Sequence, residues 1–171
     1  MDFGYFCGQP YVEGEKYMIR KFKQSDLDQV IHIWFEASII AHDFIDSEFW
    51  KSKIDDMRSV YIPSGETYIF EEDDKIKGFV SLFKDTIAAL FVSPNDQGSG
   101  IGKQLIAKCK EVRDRLNLNV YKENIKGVEF YQKCGFKTLK EQIDEHTGHP
   151  ELVMYSDVCL SGFGRHATKP E

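Results

Sequence analysis

The sequence predicts a mixed α/β fold, in which a sheet that begins antiparallel and continues parallel carries helices on both of its faces. Three observations lead to this prediction. Three consecutive strand-like segments are joined by turns too short for a helix, which requires an antiparallel meander. The third segment is almost continuously apolar, as in a central strand covered on both faces. A glycine-rich loop and an amphipathic helix follow it, and such a helical crossover makes the next strand parallel.

Before the meander, the sequence predicts one strand and two helices. The strand begins at Met18, which is a natural domain start. Ser25 is the predicted N-cap of the first helix, residues 25–40, whose apolar side chains recur at helical spacing: Leu27, Val30, Ile31, Trp34 and Ala37. The second helix covers roughly residues 47–62, and Pro63-Ser64-Gly65 ends it.

From residue 66 onward the apolar period is two, which indicates strands. The meander strands are predicted at residues 66–73, 75–83 and 87–94. The helix after the glycine loop, residues 100–115, has the apolar stripe Ile101, Leu105, Cys109 and Val112. A strand, a short helix and two final strands complete the chain, at residues 116–123, 125–135, 136–144 and 151–158.

Length and composition indicate one globular domain. The 171 residues are 42% hydrophobic, enough for a full core. We predict an N-terminal extension of uncertain origin at residues 1–17, the domain at residues 18–158 and a polar tail at residues 159–171. The chain has no apolar run near the ~20 residues of a membrane span and no secretion signal at its start, so we expect a cytoplasmic protein.

Charge and cysteine content exclude several classes of partner. The net charge of −6 argues against nucleic acid and is compatible with a cationic acceptor. None of the four cysteines pair as C-x-x-C, and the H-x-x-H spacing of His146 and His149 lacks a third ligand motif, so no metal is expected. We expect a monomer or a homodimer.

The glycine loop "NDQGSGIGK", residues 95–103, has the composition of a phosphate-binding loop. A Walker-type P-loop would need glycine where Gln97 stands and Ser or Thr where Gln104 stands. A dinucleotide fingerprint starting at Gly98 would need glycine in place of Lys103. Two readings therefore stay open on the loop alone: a turn without a ligand, and a diphosphate cradle at a helix start.

Two separated motifs resemble one family. Gln97-x-x-Gly100-x-Gly102 matches the Q/R-x-x-G-x-G/A pattern of the GNAT superfamily, the acyl-CoA-dependent N-acyltransferases. The stretch "NIKGVEFYQKCGF" is similar to that family's second signature, with Asn124, Tyr131, Gly135 and Phe136 at its positions. The resemblance covers roughly residues 18–158, extends to a GNAT-like sheet, and is nearest to the small bacterial single-domain members.

The resemblance implies acetyl-CoA as the acyl donor. The backbone of Leu90, Phe91 and Val92 would pair with the pantetheine arm, which Asn124 would also contact. The diphosphate would lie on Gln97, Gly98, Ser99, Gly100, Ile101, Gly102 and Lys103. Tyr131 would stand near the sulfur as general acid to the thiolate. A proton transfer from tyrosine to such a thiolate costs roughly 2 kcal/mol in bulk water, which burial beside a developing anion can offset.

The general base has no clear candidate, because residues 87–94 contain no glutamate. Glu71 and Glu72, on the first meander strand, are the remaining candidates. The structural interpretation is that both belong to an exposed acidic turn, and the alternative is an ordered water with no dedicated base. Deprotonation at pH 7 costs about 4.6 kcal/mol for a lysine but about 1–1.4 kcal/mol for an α-amine. A site with a weak base therefore accepts an α-amine more easily than a lysine.

We therefore predict an N-acetyltransferase acting on a primary amine: a protein lysine, an N-terminal amine or a small-molecule amine. The acceptor is expected to enter between the loop that holds His42 and Phe44 and the loop that holds His149. Both loops mix acids and histidines, which suits a cationic amine near neutral pH. The alternative hypothesis is a non-catalytic acyl-CoA-binding regulatory module, since fold alone does not determine function.

Overall fold

A computed structural model describes residues 17–157, which form one seven-stranded mixed sheet with helices on both faces. The strands lie in the order β1-β2-β3-β4-β5-β7-β6. Their bounds are β1 Tyr17–Lys21, β2 Glu66–Glu72, β3 Lys75–Phe83, β4 Thr86–Val92, β5 Arg115–Tyr121, β6 Lys137–Ile143 and β7 Pro150–Asp157. The main helices are α1 Leu27–Ala41, α2 Ser47–Ser52, α3 Ile101–Val112 and α4 Ile125–Lys133. The predicted fold class and element order are confirmed.

The second half of the sheet is less parallel than the sequence predicts. β4 and β5 are parallel neighbours, but β7 lies between β5 and β6 and is antiparallel to both. The short loop between β6 and β7 makes these strands pair as a hairpin, and β7 is the strand of this hairpin that lies beside β5. The position of β7 between β5 and β6 places the start of β7 next to the end of β5.

Two apolar clusters cover the two faces of the sheet. One cluster joins α3 to the sheet through buried side chains that include Leu105, Val80, Leu118 and Met154. The other joins α1 to the opposite face and includes Val30, Trp34, Ile69 and Phe79. The alternation of Phe79 and Val80 between the clusters shows the period-two pattern of a central strand with both faces buried.

Two helix predictions need correction. Ser25 does not cap α1; it lies in a 3-10 turn, Gln24–Asp26, and the carboxylate of Asp26 accepts the Lys23 backbone N–H at 2.7 Å and pairs with Arg20. The predicted helix at 47–62 is broken after α2. Helical turns at Ile54–Asp56 and Ile62–Ser64 flank a π-turn at Met57–Tyr61, and the segment ends at Gly65 as predicted.

Both predicted domain boundaries lie at the ends of the described residues. β1 begins at Tyr17, one residue before the predicted start, and the last described residue is Asp157. Three parts of the prediction lie outside the described residues: residues 1–16 of the extension, the last domain residue Val158, and the tail. Among residues 17–157, no helix is long and apolar enough to cross a membrane.

Candidate active site

The sheet forks between β4 and β5. The two strands pair only through Thr86 with Asn117 and Ile87 with Leu118, although β4 continues to Val92 and β5 to Tyr121. An irregularity in the β3–β4 register between Ser81 and Leu82 leaves Ala88 unpaired at the fork. Such a bulge bends a strand away from its neighbour. A cleft of about 930 Å³ opens in the fork and runs from the glycine loop to the end of α1.

The glycine loop closes one end of this cleft with exposed backbone. Gly98 and Gly100 have φ angles of 81° and 91°, and a Cβ added at either would meet nothing within 4 Å. Gly100 is the N-cap residue of α3, and no side chain caps this helix. The first N–H groups of α3 therefore stay available, and together with the helix dipole they favour an anion. This geometry fits a diphosphate group.

Most loop residues with a predicted cofactor role line the cleft: Gln97, Gly98, Gly100, Ile101, Gly102 and Lys103. Ser99 is not among the lining residues, and its hydroxyl donates to the carbonyl of Asp96 at 2.5 Å. Asp96 is in turn 3.4 Å from the Lys77 ammonium, which also pairs with Glu72. The Asp96–Lys77 pair thus anchors the loop to β3, while the glycines of the loop face the cleft.

Gly102 brings the α3 start close to α4. A Cβ on Gly102 would lie 2.9 Å from the ring of Phe130, a distance that side chains do not tolerate without a shift. Phe130 and its neighbour Tyr131 both line the cleft. The glycine therefore determines how near the Tyr131 helix sits to the loop, in addition to leaving backbone open.

Tyr131 stands on the α3–α4 side of the cleft. Its ring packs edge-on against Phe130 at 5.2 Å and Phe136 at 5.7 Å. Its hydroxyl forms no hydrogen bond with any residue between 17 and 157. Burial raises the pKa of Tyr131 above its ordinary value, so the phenol is protonated at neutral pH. The ring is partly buried, and a protonated hydroxyl without a hydrogen-bond partner in the described part of the chain is available to donate to a ligand.

Asn124 begins α4 and faces the cleft. Its Oδ1 accepts the Gly127 N–H at 3.0 Å, which caps the helix, and its Nδ2 lies 3.5 Å from Nε2 of His42. A Cβ on Gly127 would come within 2.7 Å of this amide, so the glycine makes room for the cap. The predicted contact of Asn124 with a cofactor would have to come from the Nδ2 group.

Of the three acceptor residues predicted on the two loops, His42 lines the cleft, whereas Phe44 and His149 are not among its lining residues. His42 is buried in the cleft wall, stacks on Trp50 at 5.0 Å and lies against Phe44 at 5.9 Å. Phe44 sits behind the lining and contacts His149 at 5.1 Å, so the two predicted loops do meet. Burial lowers the pKa of His42 to about 4, so its imidazole is neutral at pH 7.

The structure does not bring Glu71 and Glu72 to the cleft. Both are at the far end of β2, where Glu71 forms an ion pair with Arg20 and Glu72 with Lys77. Their side chains hold the β1–β2–β3 edge together and neither is among the residues that line the cleft. The acidic turn is therefore structural in this arrangement.

Several other polar residues of the cleft wall were missed from the sequence, among them Asn119, Tyr121 and Glu151. Asn119 and Tyr121 alternate with buried Leu118 and Val120, so the period-two pattern of β5 could have flagged its polar face. Glu151 reaches the wall because β7 pairs with β5, and nothing local to residue 151 signals that. No group of His, Cys, Asp or Glu that could hold a metal occurs in the described part of the chain.

Comparisons with known proteins agree with this geometry. A family model described as "Acetyltransferase (GNAT) domain" matches residues 63–138, which include the fork, the glycine loop and Tyr131. The chain is 33% identical over 138 residues to the peptidyl-lysine N-acetyltransferase YiaC of Escherichia coli K12, covering 80% of this chain and 94% of that protein. It is 30% identical over 129 residues to the peptidyl-lysine N-acetyltransferase YjaB of Salmonella typhimurium, covering 74% and 88%.

Solved structures match over most of the described domain. The solution structure of apo YjaB from Escherichia coli aligns with a TM-score of 0.73 at 27% identity and covers 81% of this chain and 96% of that one. The PaiA N-acetyltransferase of Thermoplasma acidophilum, in complex with coenzyme A, aligns with a TM-score of 0.69 at 22% identity, covering 82% and 98%; this second likeness concerns the fold alone. By sequence and by fold, the chain belongs to the GNAT family of acetyltransferases.

Proposed function

We propose that this protein transfers the acetyl group of acetyl-CoA to the ε-amine of lysine residues in proteins, with Tyr131 as general acid. One observation carries the proposal: the forked sheet encloses a cleft with an open glycine loop at one end, and in its wall stands the Tyr131 hydroxyl, which has no hydrogen-bond partner between residues 17 and 157. The lysine acceptor draws its support from two relatives of at least 30% identity, both named as peptidyl-lysine N-acetyltransferases.

All but one of the predicted donor-binding residues line the cleft, and Ser99 is the exception. Beyond the fork, the backbone of Leu90, Phe91 and Val92 has no β5 partner and can pair with the amides of a pantetheine arm. The glycine loop from Gln97 to Lys103 would hold the diphosphate through backbone N–H groups and one ammonium. Bound acetyl-CoA supplies a thioester, whose carbonyl carbon an amine can attack.

Tyr131 would then supply the proton that the departing thiolate needs. Its raised pKa keeps the phenol protonated before the reaction, which a general acid requires. The pKa values of a free thiol and a tyrosine differ by about 1.5 units, so the transfer costs roughly 2 kcal/mol before the site contributes. A developing anion next to a phenol in a low-dielectric cleft strengthens their hydrogen bond and offsets this cost.

The acceptor would enter at the His42 end, opposite the glycine loop. His42 is neutral there and does not repel an incoming ammonium. The loss of the first proton from a lysine at pH 7 costs about 4.6 kcal/mol, so the acceptor side needs a group that takes it.

A single assay tests the proposal. Purified protein is incubated with acetyl-CoA and a lysine peptide whose N-terminus is blocked, while thiol release is followed and the product mass is measured. We expect many turnovers and one added acetyl group on the lysine side chain. Turnover only with free N-terminal or small-molecule amines would move the acceptor class away from lysine. Coenzyme A binding without turnover on any amine would support a regulatory binding module and contradict the enzyme.

A further inference from the structure

We propose that Glu151 binds the ammonium of the acceptor and takes the proton that must leave before the amine can attack. The inference rests on the proposed N-acetyltransferase function and names the residue that performs its acceptor half. Glu151 lies at the start of β7 and lines the cleft. Its assignment follows from its place at the fork, from its hydrogen bonds and from the absence of an ion pair to any cation among residues 17–157.

The position of Glu151 follows from strand pairing. β5 and β7 pair with Tyr121 opposite Glu151, and side chains directly opposite on neighbouring strands lie on the same face. Asn119, two residues earlier on β5, shares that face and is the first β5 residue past the fork, because pairing with β4 ends at Leu118. The Asn119 amide donates to Glu151 at 3.0 Å. The carboxylate is thereby fixed beside the vertex of the fork.

Glu151 and Tyr131 approach the fork from opposite faces of the sheet. Tyr131 packs with the cluster that contains Val120, whereas Tyr121 packs with the cluster on the α1 face. Asn119, Tyr121 and Glu151 are therefore on the α1 face. An acceptor that enters from the α1 side meets Glu151 first, while the leaving sulfur can face Tyr131. This separation gives the base and the acid of an acyl transfer different protons to handle.

The hydrogen bonds of Glu151 leave its charge available. Its Oε1 accepts both from Asn119 and from the Gln142 amide, the latter at 2.6 Å, while its Oε2 makes no hydrogen bond within residues 17–157. Both donors are uncharged amides, so they hold the carboxylate without neutralising it. Glu123, Asp96 and Asp43 also line the cleft. Glu123 is paired with His149 at 2.6 Å and Asp96 with Lys77 at 3.4 Å, and Asp43 is on the loop after α1 rather than on a strand of the fork.

The proton balance is as follows. The acceptor ammonium gives one proton to Oε2 of Glu151, which passes it to solvent, and the freed lone pair forms a bond to the thioester carbon. The carbon–sulfur bond breaks, and the thiolate takes the hydroxyl proton of Tyr131. The new amide nitrogen loses its surplus proton to solvent, and Tyr131 regains one from solvent. The net products are the acetylated amine, coenzyme A thiol and one proton.

The test compares Glu151→Gln with a matched variant, Glu141→Gln. Glutamine keeps an oxygen for Asn119 and Gln142 but removes the charge. For the lysine peptide, we expect kcat/KM to fall about 100-fold in Glu151→Gln. Glu151→Asp, which keeps a carboxylate, should retain most of the activity that Glu151→Gln loses. The KM for acetyl-CoA should stay within about twofold, because Glu151 is on the acceptor side. Glu141 is an exposed β6 carboxylate that pairs with Lys122 outside the cleft, so Glu141→Gln should behave as wild type.

A neutral acceptor separates a charge effect from a structural one. Aminoacetonitrile is a primary amine that is largely uncharged at neutral pH, so it needs neither ammonium binding nor the first proton transfer. Its turnover should change less than about threefold in Glu151→Gln. Equal losses with both acceptors would reduce Glu151 to a structural role. Unchanged peptide kinetics in Glu151→Gln, with an active wild type, would overturn this inference and leave the enzyme assignment intact; an inactive wild type would overturn both.

Discussion

At the scale of single residues, Tyr131 is the sharpest test of the chemistry. Tyr131→Phe keeps the ring contacts with Phe130 and Phe136 and removes only the hydroxyl. We expect kcat to fall by about 10²–10⁴-fold, the range for loss of a general acid, while the KM for acetyl-CoA changes little. Steady-state kinetics with the lysine peptide measure this.

Tyr155→Phe is the control, since Tyr155 is a partly buried β7 tyrosine outside the cleft lining. It should retain wild-type kinetics. A fall in acetyl-CoA affinity equal to the fall in kcat for Tyr131→Phe would mean that the hydroxyl serves binding or folding rather than proton transfer.

His42 gives a prediction on stability and pH. Burial lowers the pKa of His42 to about 4, whereas a histidine in the unfolded chain has a pKa of 6.5. Between pH 4 and pH 6.5, the unfolded chain therefore binds more protons at this residue than the folded protein does. Stability linked to His42 is therefore present above about pH 6.5 and is lost as the pH falls towards 4. The loss from this group alone, integrated to about pH 4.5, is about 2 kcal/mol.

Urea unfolding near pH 7.5 and pH 4.5 measures the difference, with His42→Phe as the variant. Phenylalanine keeps the stacking on Trp50 and cannot be protonated, so the acid-induced loss should shrink by about 2 kcal/mol relative to wild type. His32→Gln is the control, because His32 is exposed on α1 beside Glu36. An identical pH dependence in wild type and His42→Phe would contradict a neutral, buried imidazole.

At the scale of elements, the α3 loop uses its glycines in two different ways. Gly100 has a φ of 91° and open space around it, so Gly100→Ala meets no steric clash but strains the backbone by about 1–2 kcal/mol. The loop should relax away from its open conformation. We expect weaker binding of coenzyme A with little change in kcat at saturating acetyl-CoA, measured by calorimetry and kinetics.

Gly102→Ala should behave differently because its obstacle is a side chain. The added methyl would press on Phe130, the neighbour of the proposed acid Tyr131, so kcat should fall as well as affinity. The double variant Gly102→Ala with Phe130→Leu has room for the methyl and should recover part of the kcat lost. Additive losses in this double-mutant cycle would show that the two residues are not coupled.

The same elements show what sequence can and cannot predict. The meander and the strand–loop–helix unit are visible locally, because period-two runs, short turns and glycines act over a few residues. The insertion of β7 between β5 and β6 depends on which strand edge is free after the other elements have packed. The Asn119–Glu151 contact joins residues 32 apart, so no local pattern encodes it. The acceptor half of the site is therefore less predictable than the donor half.

At the scale of the whole molecule, the fork divides the sheet into two halves. One half contains β1 to β4, and the other contains β5, β7 and β6. Within the sheet, the two halves are joined by two paired positions, Thr86–Asn117 and Ile87–Leu118. A ligand whose amides pair with β4 beyond the fork would add hydrogen bonds where the backbone now lacks them. Binding should therefore protect residues 88–92 from hydrogen exchange, since exchange reports the opening of backbone hydrogen bonds.

Two ligands of different reach separate the parts of the proposed donor site. ADP carries the diphosphate without a pantetheine arm, so at saturation it should protect the loop at residues 97–103 and leave residues 88–92 unchanged. Coenzyme A should protect both segments, and β1, remote from the cleft, should change with neither. Slower exchange at residues 88–92 with ADP alone would mean that loop binding tightens the fork indirectly. Because each ligand stabilises only what it contacts or tightens, this pattern decides whether the fork itself is the binding element.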